Sequence, residues 1–185
     1  MRIHLFILSF FFLLIFSSTA FAQTPAKPEG KKITLKHANS LIGNQRDKFQ
    51  RLIGNVEFEQ QGMVMTCDSA HFYSEKNSLD AFGHVHIQQG DSVNIFGDLL
   101  KYDGNTRKAD LTKNVSMTEK DMTLTTDAIT YDMNEKMASY ASGGKIVNSE
   151  NTLTSQIGSY STESKMLSFK KNVVLVNPEY VMKCD

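Results

Sequence analysis

Three kinds of residue in this chain recur at spacings that could do chemistry. Aspartates stand at Asp68 in "MTCDSAHFY", Asp98 in "IFGDLLKYD" and Asp127 in "LTTDAITYD", 30 and 29 residues apart. Carboxylate pairs are what glycoside hydrolysis uses, one as general acid and one as nucleophile or base. His84 and His86 flank Val85, so on a strand both rings would project to the same side, a spacing that can bind a metal ion. Cys67 and Cys184 each stand directly before an aspartate, in "MTCD" and "MKCD", and offer two thiols for a disulfide.

Each chemistry meets a plainer reading. A residue at the same place in every repeat is usually a turn or strand-end device, because Asp and Asn side chains bond nearby backbone amides. The two histidines have no third ligand close by in the sequence, which makes them surface residues. Between the cysteines, the aligned positions hold Gly97, Thr126 and Ile157. That column reads as inward-facing, and cysteine there as a small hydrophobe, about four units from its counterpart and too far to bridge. No Gly-Xaa-Ser-Xaa-Gly nucleophile elbow, phosphate loop or dinucleotide fingerprint occurs. The expectation is a protein that is not an enzyme, with no cofactor and no metal site.

The elements that must carry these residues are strands. Val56 and Phe58 alternate with Glu57 and Glu59, and Val85 and Ile87 with His84 and His86. Met63 and Met65, Val93 and Ile95, Met122 and Leu124, and Leu153 and Ile157 follow the same two-residue period. This is the mark of half-buried strands. Turn residues separate the segments in "QQG", "EKD" and "NSEN", and in the tips "EKNS", "DGNT", "MNEK" and "TESK". No segment after the N-terminus gives an amphipathic helix.

The strands repeat. Markers "GNVEF", "GHVHI", "KNVSM", "GKIVN" and "KNVVL" start at Gly54, Gly83, Lys113, Gly144 and Lys171, spaced 29, 30, 31 and 27 residues apart. The aspartate marker falls between them, with Gly158 read as a degenerate copy. One unit back from Asp68 lies Asn39, and Asp185 lies one unit forward of Gly158. About four short strands per unit are expected, with units of ~30 residues stacked on one another. Stacking leaves the two ends of the array unpaired. The chain stops at the aspartate marker in mid-repeat, which suggests a truncated or ragged C-terminus.

The N-terminus reads as a secretory signal peptide over residues 1–22. Arg2 gives a positive start, "LFILSFFFLLIF" an apolar run, and Ala20 and Ala22 the small residues of a cleavage site. A short flexible segment, residues 23–32, precedes the β domain expected over 33–185. The whole chain balances 20 basic against 20 acidic residues, which gives no support to nucleic-acid binding.

Exported ~30-residue β units with "GNV", then an Asp-Ser/Ala marker, a Tyr-containing strand and a polar "N-x-K" tip, resemble the OstA-like family. The segment "GNVEFEQQGMVMTCDSAHFYSEKNSLDAFGHVHIQQGD" carries the likeness most clearly, and the resemblance spans about residues 33–185. It implies an open, twisted β-jellyroll with an apolar interior groove, packed end to end as a conduit for lipid acyl chains. The lipid-facing residues would be the inward column: Val56, Phe58, Met63, Met65, Val85 and Ile87, continuing through Val93, Ile95, Val115, Met117, Met122 and Leu124 to Leu153 and Phe169. Methionines suit ligands of variable shape because their side chains repack cheaply. The expected setting is the periplasm. The expected partners are lipopolysaccharide or its lipid A part, other OstA-like jellyroll domains, and further copies of the chain joined head to tail. The alternative is an exported structural or adhesive β-repeat protein with a filled core, and a β-helix carbohydrate enzyme ranks third.

Overall fold

A computed structural model describes residues 32–43 and 48–185. The expected signal peptide and flexible segment lie almost wholly outside the described residues. Described strands comprise β1 (Thr34–His37), β2 (Ser40–Ile42), β3 (Gln50–Gln60), β4 (Met63–Tyr73), β5 (Ser78–Gln89), β6 (Val93–Asp103), β7 (Lys108–Glu119) and β8 (Met122–Asp132). Shorter ones follow: β9 (Met137–Tyr140), β10 (Gly144–Val147), β11 (Thr152–Ser155), β12 (Ile157–Ser161), β13 (Leu167–Lys170), β14 (Val173–Val176) and β15 (Val181–Cys184). All pair antiparallel in one 15-stranded sheet whose outermost strands do not pair with one another. The fold is an open, all-β jellyroll.

The unit is longer-stranded than four short strands per repeat. From β3 to β8 each repeat is two strands of 11 or 12 residues, and each strand is creased near its middle. The pairing register slips at one place in every pair: between Ile53 and Val56, Thr66 and Ser69, Phe82 and Val85, Phe96 and Leu99, and Thr112 and Val115. Bulges of this kind bend a strand and sharpen its twist. They align into a crease that folds the sheet into two half-sheets facing each other. One runs β1, then the "GNV" halves of the long strands, then β10, β11, β14 and β15. The other runs β2, the opposite halves, then β9, β12 and β13.

Both repeat markers are parts of this crease. On the odd strands two successive residues take positive φ, as at Gly54 and Asn55, Gly83 and His84, and Lys113 and Asn114. On the even strands the inward alternation breaks by one residue: Cys67 and Ala70 are buried, while Asp68 and Ser69 between them are not. The carboxylate then pins the neighbouring left-handed residue. His84 Nδ1 lies 2.7 Å from Asp68 Oδ2, and Asn114 donates to Asp98 at 2.6 Å. The Asp68 hydrogen bond, and then its charge, raise the His84 pKa above the ordinary imidazole value. A Cβ on Gly83 would run into that same carboxylate, and on Gly54 into Asn39, so Asn39 does serve as the first marker. The degenerate marker is displaced, however. Tyr160 is paired as Tyr131 and Tyr102 are, which puts Gln156, four residues before it, where Asp127 and Asp98 stand. Ser155, not Ile157, then occupies the cysteine column.

That column runs from Cys67 through Val85, Gly97, Val115 and Thr126 toward Val173 and Cys184. Both cysteines are free, Cys67 buried and Cys184 exposed on the edge strand. Eight strand steps along the sheet order separate them, roughly 38 Å at about 4.8 Å per step, far beyond disulfide reach. Burial pushes the Cys67 thiol up to about 11, which suppresses the reactive thiolate. A thiol reagent is therefore expected to modify Cys184 under native conditions and Cys67 only after denaturation. Mass-spectrometric detection of a Cys67–Cys184 bridge within one chain would refute this register.

Candidate functional site

The space between the half-sheets is the candidate site, and rows of side chains line it. Cross-strand pairing places Leu35, Phe58, Met65, Ile87, Ile95, Met117, Leu124, Ile146, Leu153, Leu175 and Met182 in one line across the first half-sheet. Every member is apolar, from edge strand to edge strand. Beside it lies the cysteine column with Val56, Val85 and Val115. On its other side a tip row holds Gln60, Met63, Gln89, Val93, Glu119 and Met122. Thirteen of the fourteen expected inward residues thus share one half-sheet. The structure brings them together as a continuous surface.

Phe169 is the exception, because it belongs to the facing half-sheet. There a second apolar line joins Leu41, Leu52, Ala70, Ala81, Leu100, Leu111, Ile129, Tyr140, Gly158 and Phe169. It lacks a Cβ at Gly158 because the Tyr140 ring occupies that space, and Gly144 makes the same room from the opposite half-sheet. A row with Phe72, Leu79, Tyr102, Ala109, Tyr131 and Tyr160 lies nearer the turns. Apart from Phe169, none of this facing wall is in the inward column read from sequence. The signal was present as alternation resuming after each aspartate, shifted by one residue.

The two walls are in contact. Phe58 and Phe72 meet at 5.3 Å between ring centroids, tilted by 55°. Phe58, Ile87, Ile95 and Met117 have no exposed surface, and only Leu153 and Phe169 of the expected set are half-buried. Between β3 and β9 the interior is filled by the protein's own side chains. A concavity of about 650 Å³ lies against the second half-sheet, but Asp110, Thr112, Thr130, Ser139, Ser159 and Ser168 on its rim belong to the outward-facing rows.

Polar groups enter the interior at the crease, where the Tyr140 and Ser155 hydroxyls lie 2.6 Å apart, and along the turns. The Tyr102 hydroxyl donates to Gln60 Oε1, and Gln60 Nε2 donates to the Gly104 carbonyl at 2.9 Å. The Tyr160 hydroxyl donates to Glu119 at 2.6 Å, and Lys165 forms an ion pair with the same buried carboxylate. Desolvation pushes the Tyr102 phenol up to about 12. It raises Tyr160 as well, helped by the Glu119 hydrogen bond. Both tyrosines are therefore neutral donors at physiological pH.

Exposed apolar groups gather at the two ends. Leu41, Ile42 and Ile53 lie at one, and Met166, Leu167, Val176, Tyr180, Val181 and Met182 at the other. Of the remaining large exposed apolar groups, Phe96 is covered on one face by His86, stacked at 4.4 Å. His84 and His86 bond separately to Asp68 and Asn94. No set of three or more metal-ligating side chains assembles among the described residues.

The sequence pattern of the family described as OstA-like protein matches residues 30–185. No curated protein matches the chain. Among solved structures, one similar chain is LptH from Pseudomonas aeruginosa, described as the LptA-homologous periplasmic component of the lipopolysaccharide transport device. It is 11% identical, with 80% of this chain and 96% of that chain covered, at a TM-score of 0.36.

Proposed function

The chain belongs to the OstA-like family, and from that premise we propose that it is a periplasmic lipid-transport protein whose interior shields the acyl chains of lipopolysaccharide. Export would follow cleavage of the segment 1–22. The observation that carries the reading is the unbroken apolar line from Leu35 to Met182. It runs perpendicular to the strands and reaches both edges of the sheet, so a second jellyroll stacked on either end would prolong it. Burial of acyl methylene groups on such a surface supplies about 0.8 kcal/mol each. Methionines at Met63, Met65, Met117 and Met122 allow that surface to repack around chains of different length. The expected neighbours are other OstA-like jellyroll domains or copies of this chain.

One observation favours the alternative of a structural repeat protein with a solid core: Phe58, Ile87, Ile95 and Met117 are completely buried against the facing wall. The two readings part on what touches those residues in the cell. A photo-activatable side chain at Ile95 is expected to crosslink to lipopolysaccharide in living cells, and one at Asn94, on the outward face, is not. Lipid adducts from both positions or from neither, with the protein folded, would reject the conduit in favour of the solid core.

A further inference from the structure

If the interior receives acyl chains, the filled core must open, and the covalent structure limits where. Along the crease β3 to β8 each run uninterrupted from one half-sheet to the other. Along the opposite side the half-sheets meet only through their turns, at a seam of a few side-chain contacts. The contacts are regular. Ile33 N–H donates to Asn77 Oδ1 across 44 residues, Gln60 reaches Gly104 across 44, and Lys165 reaches Glu119 across 46.

The middle rung is different. Gln89 stands in register between Gln60 and Glu119, yet its Oε1 is buried without a hydrogen-bond partner. At the facing turn, the position equivalent to Gly104 and Thr162 is Met133, buried and without a polar side chain. The seam is thus clasped on both sides of Gln89 and unpaired at that rung. An unsatisfied buried carbonyl is destabilising, so separation there is opposed least.

The rim of the seam mixes charges, with Asp103, Asp132, Glu135 and Glu163 in the turns that also carry a regular set of cations. Arg107, Lys136 and Lys165 occupy the same left-handed position in three successive turns, with φ of 56°, 50° and 60°. Alternate strands space them at roughly 9–10 Å. Lys165 is held by Glu119 and Lys136 by Glu163, while Arg107 donates from Nη1 to Asn134 Oδ1 at 3.4 Å and only its buried Nε has no hydrogen-bond partner. In the closed protein, carboxylates therefore occupy the two lysines.

We propose that the half-sheets part along this seam, hinged at the crease, and admit the alkyl chains of an anionic amphiphile from the side, with Arg107, Lys136 and Lys165 taking its phosphate groups at the rim. Opening hydrates Glu119 as it releases Lys165, so the carboxylate is not left buried without a counter-ion, and phosphate replaces carboxylate on the rim cations. This rests on the reading that the interior holds acyl chains and adds the route and the headgroup contacts.

The test uses the 185-residue chain without its first 22 residues, with Cys67→Ser and Cys184→Ser to remove native thiols. Glu119→Cys and Lys165→Cys are joined across the seam by a reducible bis-thiosulfonate linker. Dodecyl phosphate is expected to bind the reduced protein saturably, to bind the linked protein at least tenfold more weakly, and to recover on reduction. In the chain with Glu119 and Lys165 intact, Arg107→Gln with Lys136→Gln is expected to weaken dodecyl phosphate by roughly tenfold, the size of two partly exposed ionic contacts. Dodecyl maltoside should be unaffected, and inorganic phosphate alone should not bind measurably. Lys136→Gln by itself, on an exposed side chain, guards against a folding defect and should give part of the loss. Equal binding of dodecyl phosphate to linked and reduced protein overturns the side entry but leaves an interior filled from the ends. Binding to neither state overturns side entry and acyl-chain shielding together. Inorganic phosphate binding as tightly as dodecyl phosphate also overturns it, because the rim would then be an anion site without chain entry.

Discussion

Replacing Phe58 with alanine is expected to destabilise the protein by about 3–5 kcal/mol, the range for emptying a fully buried aromatic position. The size follows from where the ring sits. Phe58 lies mid-line in the first half-sheet, in register with Leu35 and Met65, and packs against Phe72 of the facing wall. It ties an edge strand, the first repeat and both half-sheets together, and none of its surface is left to water. In a domain of this size the loss corresponds to roughly 10 °C or more in Tm. Phe58→Asp is expected to be worse, because a carboxylate in that position has no partner to offset its desolvation. Glu57→Ala, one residue away on the outward face, is expected to change stability by no more than about 0.5 kcal/mol. Thermal or urea unfolding measures all three. Comparable losses from Phe58→Ala and Glu57→Ala would mean that the inward and outward faces are wrongly assigned.

The contrast between Phe58 and Glu57 was readable in the sequence, because one strand face alternates with the other every residue. Val85 and Ile87 against His84 and His86 carry the same information. The ~30-residue period was readable too, since the left-handed pair at the crease favours "GN" or "KN" and the next strand must answer with a side chain that bonds to it. What the sequence concealed was that this crease lies inside a strand. A residue such as Asp68 looks like the end of a segment, so each half-strand reads as a separate strand and the alternation beyond it loses its phase. Leu100, Tyr102, Ile129 and Tyr131 were therefore missed as the opposite wall. Gly158 was misread for a related reason. It resembles the aspartate marker in position, but it is small because Tyr140 needs its space, and Gln156 holds the crease position. The contacts of Gln60, Glu119 and Lys165 had no local signal at all. They join residues 41 to 46 positions apart, and only the folding of one half-sheet over the other brings them together.

Val181→Pro is expected to abolish head-to-tail assembly while leaving the fold in place, and the reason lies in the hydrogen-bond phase of the last hairpin. Asn177 and Tyr180 exchange N–H···O=C bonds at 2.9 and 3.3 Å. The next opposed pair, Val176 and Val181, is then a non-bonded pair of the ladder. The Val181 N–H and C=O consequently point away from β14, toward the unpaired side of β15. Proline at 181 removes a donor from that free edge without breaking a bond to β14, and an edge strand is where proline is tolerated. The side chains at this end, Tyr180, Val181 and Met182, are all at least half exposed, and Met182 closes the apolar line that begins at Leu35. Strand addition by the β1 edge of a second copy would pair the free groups and continue the line from one molecule into the next. Such a contact joins different surfaces of identical chains, so it need not close and can extend. Light scattering over a concentration series is expected to show growing open-ended species for the unaltered chain. For Val181→Pro it should show a constant monomer mass with an unchanged circular dichroism spectrum. A native chain that stays monomeric at every concentration, and that also fails to bind other jellyroll domains of the family, would remove the basis for a bridge. The apolar line would then end at each edge of a single molecule with nowhere to pass its cargo.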